Sequence, residues 1–215
     1  STIIKLINST DEDFKTFLTS REIITEELLT IIVSRYYIKH KIYSQVDALL
    51  LNEELYMNLD NVYINQSNVH GRGIFAKKEI IKNQVITLYP IHVVFVIIND
   101  QTLHYFKHIE HSEIKLSECA DYKKSITNEI YCGAFPGIFD NTNWLGHLIN
   151  DGSSQVDEIE YKKENLNRIN CEFVKILDYN EICYFVAVVA KRNIKKDEEL
   201  FIEYGTSYWK NKSWN

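Results

Sequence analysis

The chain has 215 residues, of which 45% are hydrophobic and 25% charged, and it carries a net charge of −6. A chain of this size can bury a sizeable core without disulfide staples. Its acidity argues against a broad phosphate-binding surface, and so against direct nucleic-acid binding, while suiting a basic partner such as a Lys/Arg-rich protein tail; the plain reading of the same charge is solubility.

In chain order, the first 60 residues read as helices. Phe14, Phe17, Leu18, Ile23, Ile24, Leu28, Leu29, Ile31 and Ile32 recur at three- and four-residue spacing, the mark of amphipathic helix. Thr10 or Asp11 is placed to cap the first helix and Thr19 or Ser20 the second. Val46, Leu49, Leu50, Leu55 and Tyr56 repeat the pattern. Residues 1–60 are therefore expected to form a small helical module, with a face that offers a route to a homodimer.

No glycine occurs before Gly71, and the character changes after Asn61. Short β-rich runs follow at 62–64, 84–89, 92–98, 129–131, 171–177, 183–190 and 199–203. Most are bounded by turn formers, with no regular helix between successive strands. That disfavours a doubly wound parallel sheet and favours small β-sheets. The polar, His-rich stretch 99–124 is read as helix plus loop, and the charged stretch 156–168 as a helical or irregular insertion. The longest apolar runs, 91–98 and 184–190, fall far short of the roughly 20 residues that span a bilayer. No basic segment leading into an apolar one opens the chain, so a signal peptide is not expected. Cys119, Cys132, Cys171 and Cys183 form no C-x-x-C pair and suit free thiols in a reducing, intracellular setting.

Three segments carry candidate chemistry. In Gly71-Arg72-Gly73-Ile74-Phe75-Ala76, two glycines let the backbone approach a ligand closely. The run lacks the further glycine of a dinucleotide fingerprint and the G-K-[ST] of a P-loop, so by spacing alone it is a tight turn. The second segment is Trp144-Leu145-Gly146-His147-Leu148-Ile149-Asn150-Asp151-Gly152. In the third, Glu199-Leu200-Phe201-Ile202-Glu203-Tyr204-Gly205, a strand delivers Tyr204 to a glycine turn. A tyrosine there can act through its hydroxyl, or simply pack with one hydrogen bond. His104, His108 and His111 lie at helical spacing without the acidic partner of a zinc motif, and a solvated face is their simpler reading. The basic run Lys191–Lys196 reads as a solvated turn.

Taken in order, G-R-G-I-F, L-G-H-L-I-N-D, N-C-E-F and A-K-R-N-I-K-K-D-E-E-L-F-I-E-Y-G resemble the SET-domain family of protein-lysine methyltransferases. The resemblance runs from about Val62 to Trp209. It implies an α+β, β-rich fold of small curved sheets in which 145–151 and 199–205 cross in a knot-like arrangement. The domain would occupy 61–215, with insertions near 99–128 and 153–169 and no zinc-binding post-SET region. It implies S-adenosylmethionine as cofactor, held by Arg72, Gly73, Asn150, Asp151 and Tyr204, with Asp151 in place of the family's histidine. Tyr204 matches the catalytic tyrosine. Tyr131 aligns with a strand tyrosine that shares the catalytic role and lines the substrate channel. Asn170-Cys171 resembles the N-C that closes the Asn150 motif, displaced by an insertion.

Tyr208 and Trp209 are expected to wall the channel or cover the cofactor, or, in Trp209's case, to pack on the sheet. The implied partner is a basic protein, a histone or another Lys-rich chain, in the nucleus or cytoplasm, with no membrane and no metal involved. The alternative is a weak or inactive SET module that binds protein partners without catalysis.

Overall fold

The computed structural model describes residues 10, 12–13, 59–98, 101–106, 115–126, 128, 130–138, 142–177 and 183–212. The expected helical module of 1–60 lies almost wholly outside them. At its start, Thr10 Oγ1 accepts the Asp13 N–H at 3.2 Å, the bond an N-cap makes. Among the described residues no helix is long and apolar enough to cross a membrane. They fall into two compact units.

The first unit holds residues 59–90, 142–176 and 186–212. It opens with an antiparallel pair, β1 (Val62–Gln66) and β2 (Arg72–Ala76), in register from Val62↔Ala76 to Gln66↔Arg72. Ser67 Oγ accepts the N–H groups of Val69 and His70, and Gly71 turns the chain at φ 47°. That left-handed conformation suits glycine. The tight-turn reading therefore holds for Gly71, whereas Arg72 and Gly73 already belong to a strand. The other edge of β2 bonds the run before Tyr204: Ala76 N–H reaches Glu198 O at 2.9 Å, and Leu200 N–H reaches Ile74 O at 2.7 Å.

A second sheet in this unit has the order β3 (Val85–Leu88), β10 (Cys183–Ala190), β9 (Cys171–Leu177). Two very short strands, β8 (Asn150–Asp151) and β11 (Phe201–Ile202), pair in parallel with Phe201 opposite Asn150 and Ile202 opposite Asp151. Ile74, Ile86, Ile149, Val188, Leu200 and Ile202 form the core beneath these strands, and Tyr204 packs on its edge. The basic run 191–196 is a turn whose Ile194 is buried and bridges to Ile80.

The charged stretch forms a regular helix, α1 (Glu158–Arg168). Asp157 caps it by accepting from Ile159 and Glu160 N–H, and Glu158 and Glu160 in the first turn with Arg168 in the last suit the helix dipole. A short helix, α2 (Thr206–Lys210), follows the Gly205 turn.

The second unit, described by itself, is built on an antiparallel sheet of order β5 (Gln101–Phe106), β4 (Val93–Ile98), β7 (Ile130–Gly133), β6 (Lys123–Ser125). This corrects the helix-plus-loop reading of 99–124. Residues 101–106 pair with β4 along its whole length, Ile98 opposite Gln101 and Val93 opposite Phe106. The β-formers Thr102, Tyr105 and Phe106 and the turn formers Asn99-Asp100 beside β4 carry a hairpin signal that outweighs the polar composition. Among the described residues of that stretch, only 116–122 is helical, as a 3-10 turn. His104 sits on a strand, and burial lowers its pKa, so a helical His104/His108 face does not form. His108 and His111 lie outside the described residues. Val93, Phe95, Cys119 and Phe135 form this unit's core.

Candidate active site at the Asn150–Tyr204 crossing

The β8–β11 pair brings most of the sequence-predicted site residues together. Its two strands are too short for backbone pairing alone to fix them. Side chains supply the rest. Asn150 is half-buried, and its Nδ2 lies 3.0 Å from His70 O, 3.0 Å from Arg72 O and 3.2 Å from Glu199 Oε1. It thereby ties β8 to the turn before β2 and to the first residue of β2. A Cβ at Gly73 would meet the Glu199 carboxylate and crowd Asn150 Nδ2, so a larger residue there would have to displace the Glu199 side chain. Arg72 beside it is exposed.

Asp151, the neighbour of Asn150, points the other way and is 1% exposed. Burying a carboxyl group costs several kcal/mol unless donors replace water. Here Oδ2 accepts from the Tyr161 hydroxyl at 2.7 Å, Trp209 Nε1 at 2.9 Å and the Tyr204 N–H at 3.2 Å. Oδ1 takes longer contacts of 3.4 Å from Ser153 N–H and Asn165 Nδ2. The Asp151 side chain is thus a structural hub, which leaves its backbone as the part able to face a ligand.

Tyr204 is half-buried. Its hydroxyl donates to Ile149 O at 2.5 Å, which fixes the ring's direction and the hydroxyl's rotor. Around it lie other rings. Tyr208 meets Tyr204 edge-on at 4.8 Å, Trp209 stacks at 6.5 Å, and His70 stacks on Trp209 at 5.4 Å. Trp209 is buried, so it packs inside the cluster, while Tyr208 is only half-buried. Gly205 follows at φ 92°, again left-handed.

Asn170 closes the far side. It is fully buried. Its Nδ2 donates to Glu199 O at 2.8 Å and its Oδ1 accepts from Phe201 N–H at 2.9 Å, so one amide satisfies two peptide groups of the strand leading to Tyr204. The N-C pair therefore acts on the strand that leads to Tyr204, with Cys171 buried beneath it. Tyr131 lies half-buried on β7 in the second unit, opposite Phe95.

Two residues at the site were not picked out from sequence. Tyr161 on α1 bonds Asp151 and also accepts the Gly205 N–H at 2.8 Å. Burial, and then the bond to Asp151, push its phenol well above the ordinary tyrosine range. His70 stacks on Trp209 and has a buried Nε2 without a hydrogen-bond partner. The signal for Tyr161 was available: with Asn165 it forms an i, i+4 face in a largely charged helix, and those two residues are the ones α1 buries.

No curated protein matches the chain. Among solved structures it is similar to a Plasmodium falciparum protein described as a candidate histone methyltransferase, at 23% identity over 69% of this chain and 96% of that one, with a TM-score of 0.40. The SET-domain family model matches residues 71–205, the stretch that runs from the first glycine of the turn to the glycine after Tyr204. The chain belongs to the SET-domain family, whose members are usually protein-lysine methyltransferases.

Proposed function

We propose that the chain is an S-adenosylmethionine-dependent methyltransferase acting on lysine side chains of a basic protein, with a histone as the first candidate. The observation that carries this reading is the seating of Tyr204, whose hydroxyl is held on Ile149 O beside the Asn150 corner.

The residues at the corner fit the cofactor's chemistry. S-adenosylmethionine combines a carboxylate, an ammonium and a sulfonium with a ribose and an aromatic base. The exposed Arg72 guanidinium suits a carboxylate, and Glu199 and the aromatic faces suit cations. His70 Nε2 is a buried polar atom with capacity for one more contact. In this reading Arg72, the Gly73 backbone, Asn150, the Asp151 backbone and Tyr204 hold the cofactor. When bound, the cofactor supplies a methyl group on a positively charged sulfur, open to displacement by a neutral amine.

The chain's part is alignment and charge. With its proton committed to Ile149 O, the Tyr204 oxygen presents lone-pair density to an N–H of the incoming lysine. That fixes the direction of the amine, the largest single demand of an in-line transfer. The Tyr204 and Tyr208 rings, 4.8 Å apart, suit an alkylammonium and its methylated products. The acidic groups Glu199, Glu203, Glu158 and Glu160 in the same unit, with the net charge of −6, favour a basic substrate over an acidic one.

The test is transfer of labelled methyl groups from S-adenosylmethionine to a panel of basic proteins that includes histones. The expected result is label on lysine, falling by about 10²-fold or more in Tyr204→Phe, in the range typical of a lost catalytic group. A folded wild-type chain that labels no member of the panel would instead favour the non-catalytic interaction module.

A further inference from the structure

We propose that Tyr161, on helix α1, is a positioning residue for Tyr204. The proposal rests on the reading of Tyr204 as the residue that receives the substrate amine.

Both peptide N–H groups that flank the Tyr204 Cα are held by one small network. The Tyr204 N–H donates to Asp151 Oδ2 at 3.2 Å, and the Gly205 N–H donates to the Tyr161 hydroxyl at 2.8 Å. The Tyr161 hydroxyl in turn donates to the same Asp151 oxygen at 2.7 Å. Tyr161 therefore relays between the carboxyl group and the peptide that follows Tyr204. Gly205 lies at φ 92°, where regular strand or helix hydrogen bonding does not continue, so this side-chain bond supplies the turn's restraint.

The make-up of α1 supports a holding role over a packing one. A helix that serves a core turns its apolar residues inward. In α1 the aliphatic residues face out: Ile159 is 75% and Leu166 80% exposed. The buried pair is Tyr161 and Asn165, one turn apart, and both reach Asp151. Arg168 at the helix end donates to Gly152 O at 2.7 Å, and a Cβ at Gly152 would strike Asn165 and Arg168, so the helix sits directly against the strand that carries Asp151. Its inward polar groups reach Asp151 and Gly152 and, through Tyr161, the Tyr204 turn.

Tyr161→Phe tests this, because it removes the hydroxyl and keeps the ring. Three quantities are measured: amide hydrogen exchange across 203–208, S-adenosylmethionine binding by calorimetry, and steady-state methyl transfer to the best protein substrate. The Gly205 amide should exchange about tenfold faster, the scale of one hydrogen bond, while β9 and β10 keep their protection. Turnover should fall by a similar factor, with KM for substrate and cofactor affinity near wild type. Lys162→Ala, on the exposed side of the same helix, should change none of these.

Each other result counts against the proposal. Unchanged Gly205 exchange removes the holding contact. Faster exchange with wild-type turnover removes its role in the reaction. Loss of protection throughout β9 and β10 makes Tyr161 a general scaffold residue. Should the variant fail to fold, the wild type decides: a Gly205 amide that exchanges freely overturns the proposal without any substitution. Full turnover in Tyr204→Phe identifies a different failure, that of the reading on which the proposal rests.

Discussion

The β8–β11 crossing and the β5–β4–β7–β6 sheet solve the same problem, holding strands together, by different means. In the sheet, β4 is paired along its length on one side and from Val93 to Val96 on the other, and Val93, Val94, Phe95 and Val96 are buried. Backbone ladders and apolar burial do the holding. In the crossing, two residues pair with two. The strands stay in place because Asn150, Asp151 and Asn170 each satisfy several donors or acceptors from distant parts of the chain. A few side chains carry the crossing, whereas the sheet spreads its stability over many small contacts. The two should therefore respond differently to substitution, and the crossing should be the more brittle.

The sharpest break is Asp151→Ala. It leaves the Tyr161 hydroxyl, the Trp209 indole N–H and the Tyr204 N–H without their buried acceptor. At about 1–3 kcal/mol for each buried group left unsatisfied, partly relieved by water, a loss of about 4 kcal/mol is expected in urea unfolding. A loss below about 1 kcal/mol would show that the hub is not what holds the crossing.

Asn170→Ala should come next, at about 3 kcal/mol, because one buried amide serves both the Glu199 carbonyl and the Phe201 N–H. Its second signature is faster hydrogen exchange at Phe201. In the sheet, Val96→Ala removes two methyl groups from a fully enclosed site. It should cost about 2 kcal/mol by lost burial and cavity formation, without altering cofactor affinity. A cost in the sheet larger than at Asp151 would invert the comparison.

The smallest effect is in pH. Burial alone would raise the Glu198 carboxyl, but Arg192 at 2.7 Å, the Lys195 N–H and Asn170 together hold it below the ordinary value of 4.5. A carboxyl whose pKa is lower folded than unfolded contributes stability above the ordinary value and loses it as pH falls through the folded one. The melting temperature should therefore drop on acidification below about pH 4.5, and drop less in Glu198→Gln. The pair is partly exposed, so the difference should amount to about 1 kcal/mol or less.

The contrast also explains what was legible from residue order. Strands 171–177 and 183–190 were read with the bounds the structure gives them, since β-formers dominate both runs. Periodicity reports contacts that repeat along the chain, and sheets are made of those. The crossing is not periodic. Asp151 meets Tyr161, Tyr204 and Trp209, partners 10, 53 and 58 positions away, and no spacing rule links them. The family resemblance alone located Asn150 and Tyr204. It did not locate Tyr161, which lies in a stretch read as an insertion, outside the motifs that carry the resemblance. Strand 101–106 was missed for a different reason: its histidine and glutamine suggested a solvated segment, while its partner β4 made it a strand.

The central claim is that the crossing is a cofactor site, and calorimetric titration of the purified chain with S-adenosylmethionine tests it most directly. The account predicts saturable one-to-one binding, weakened at least about tenfold in Asn150→Ala, since that substitution removes the side-chain hydrogen bonds that tie β8 to the carbonyls of His70 and Arg72. No heat of binding to a wild-type chain shown to be folded would contradict it.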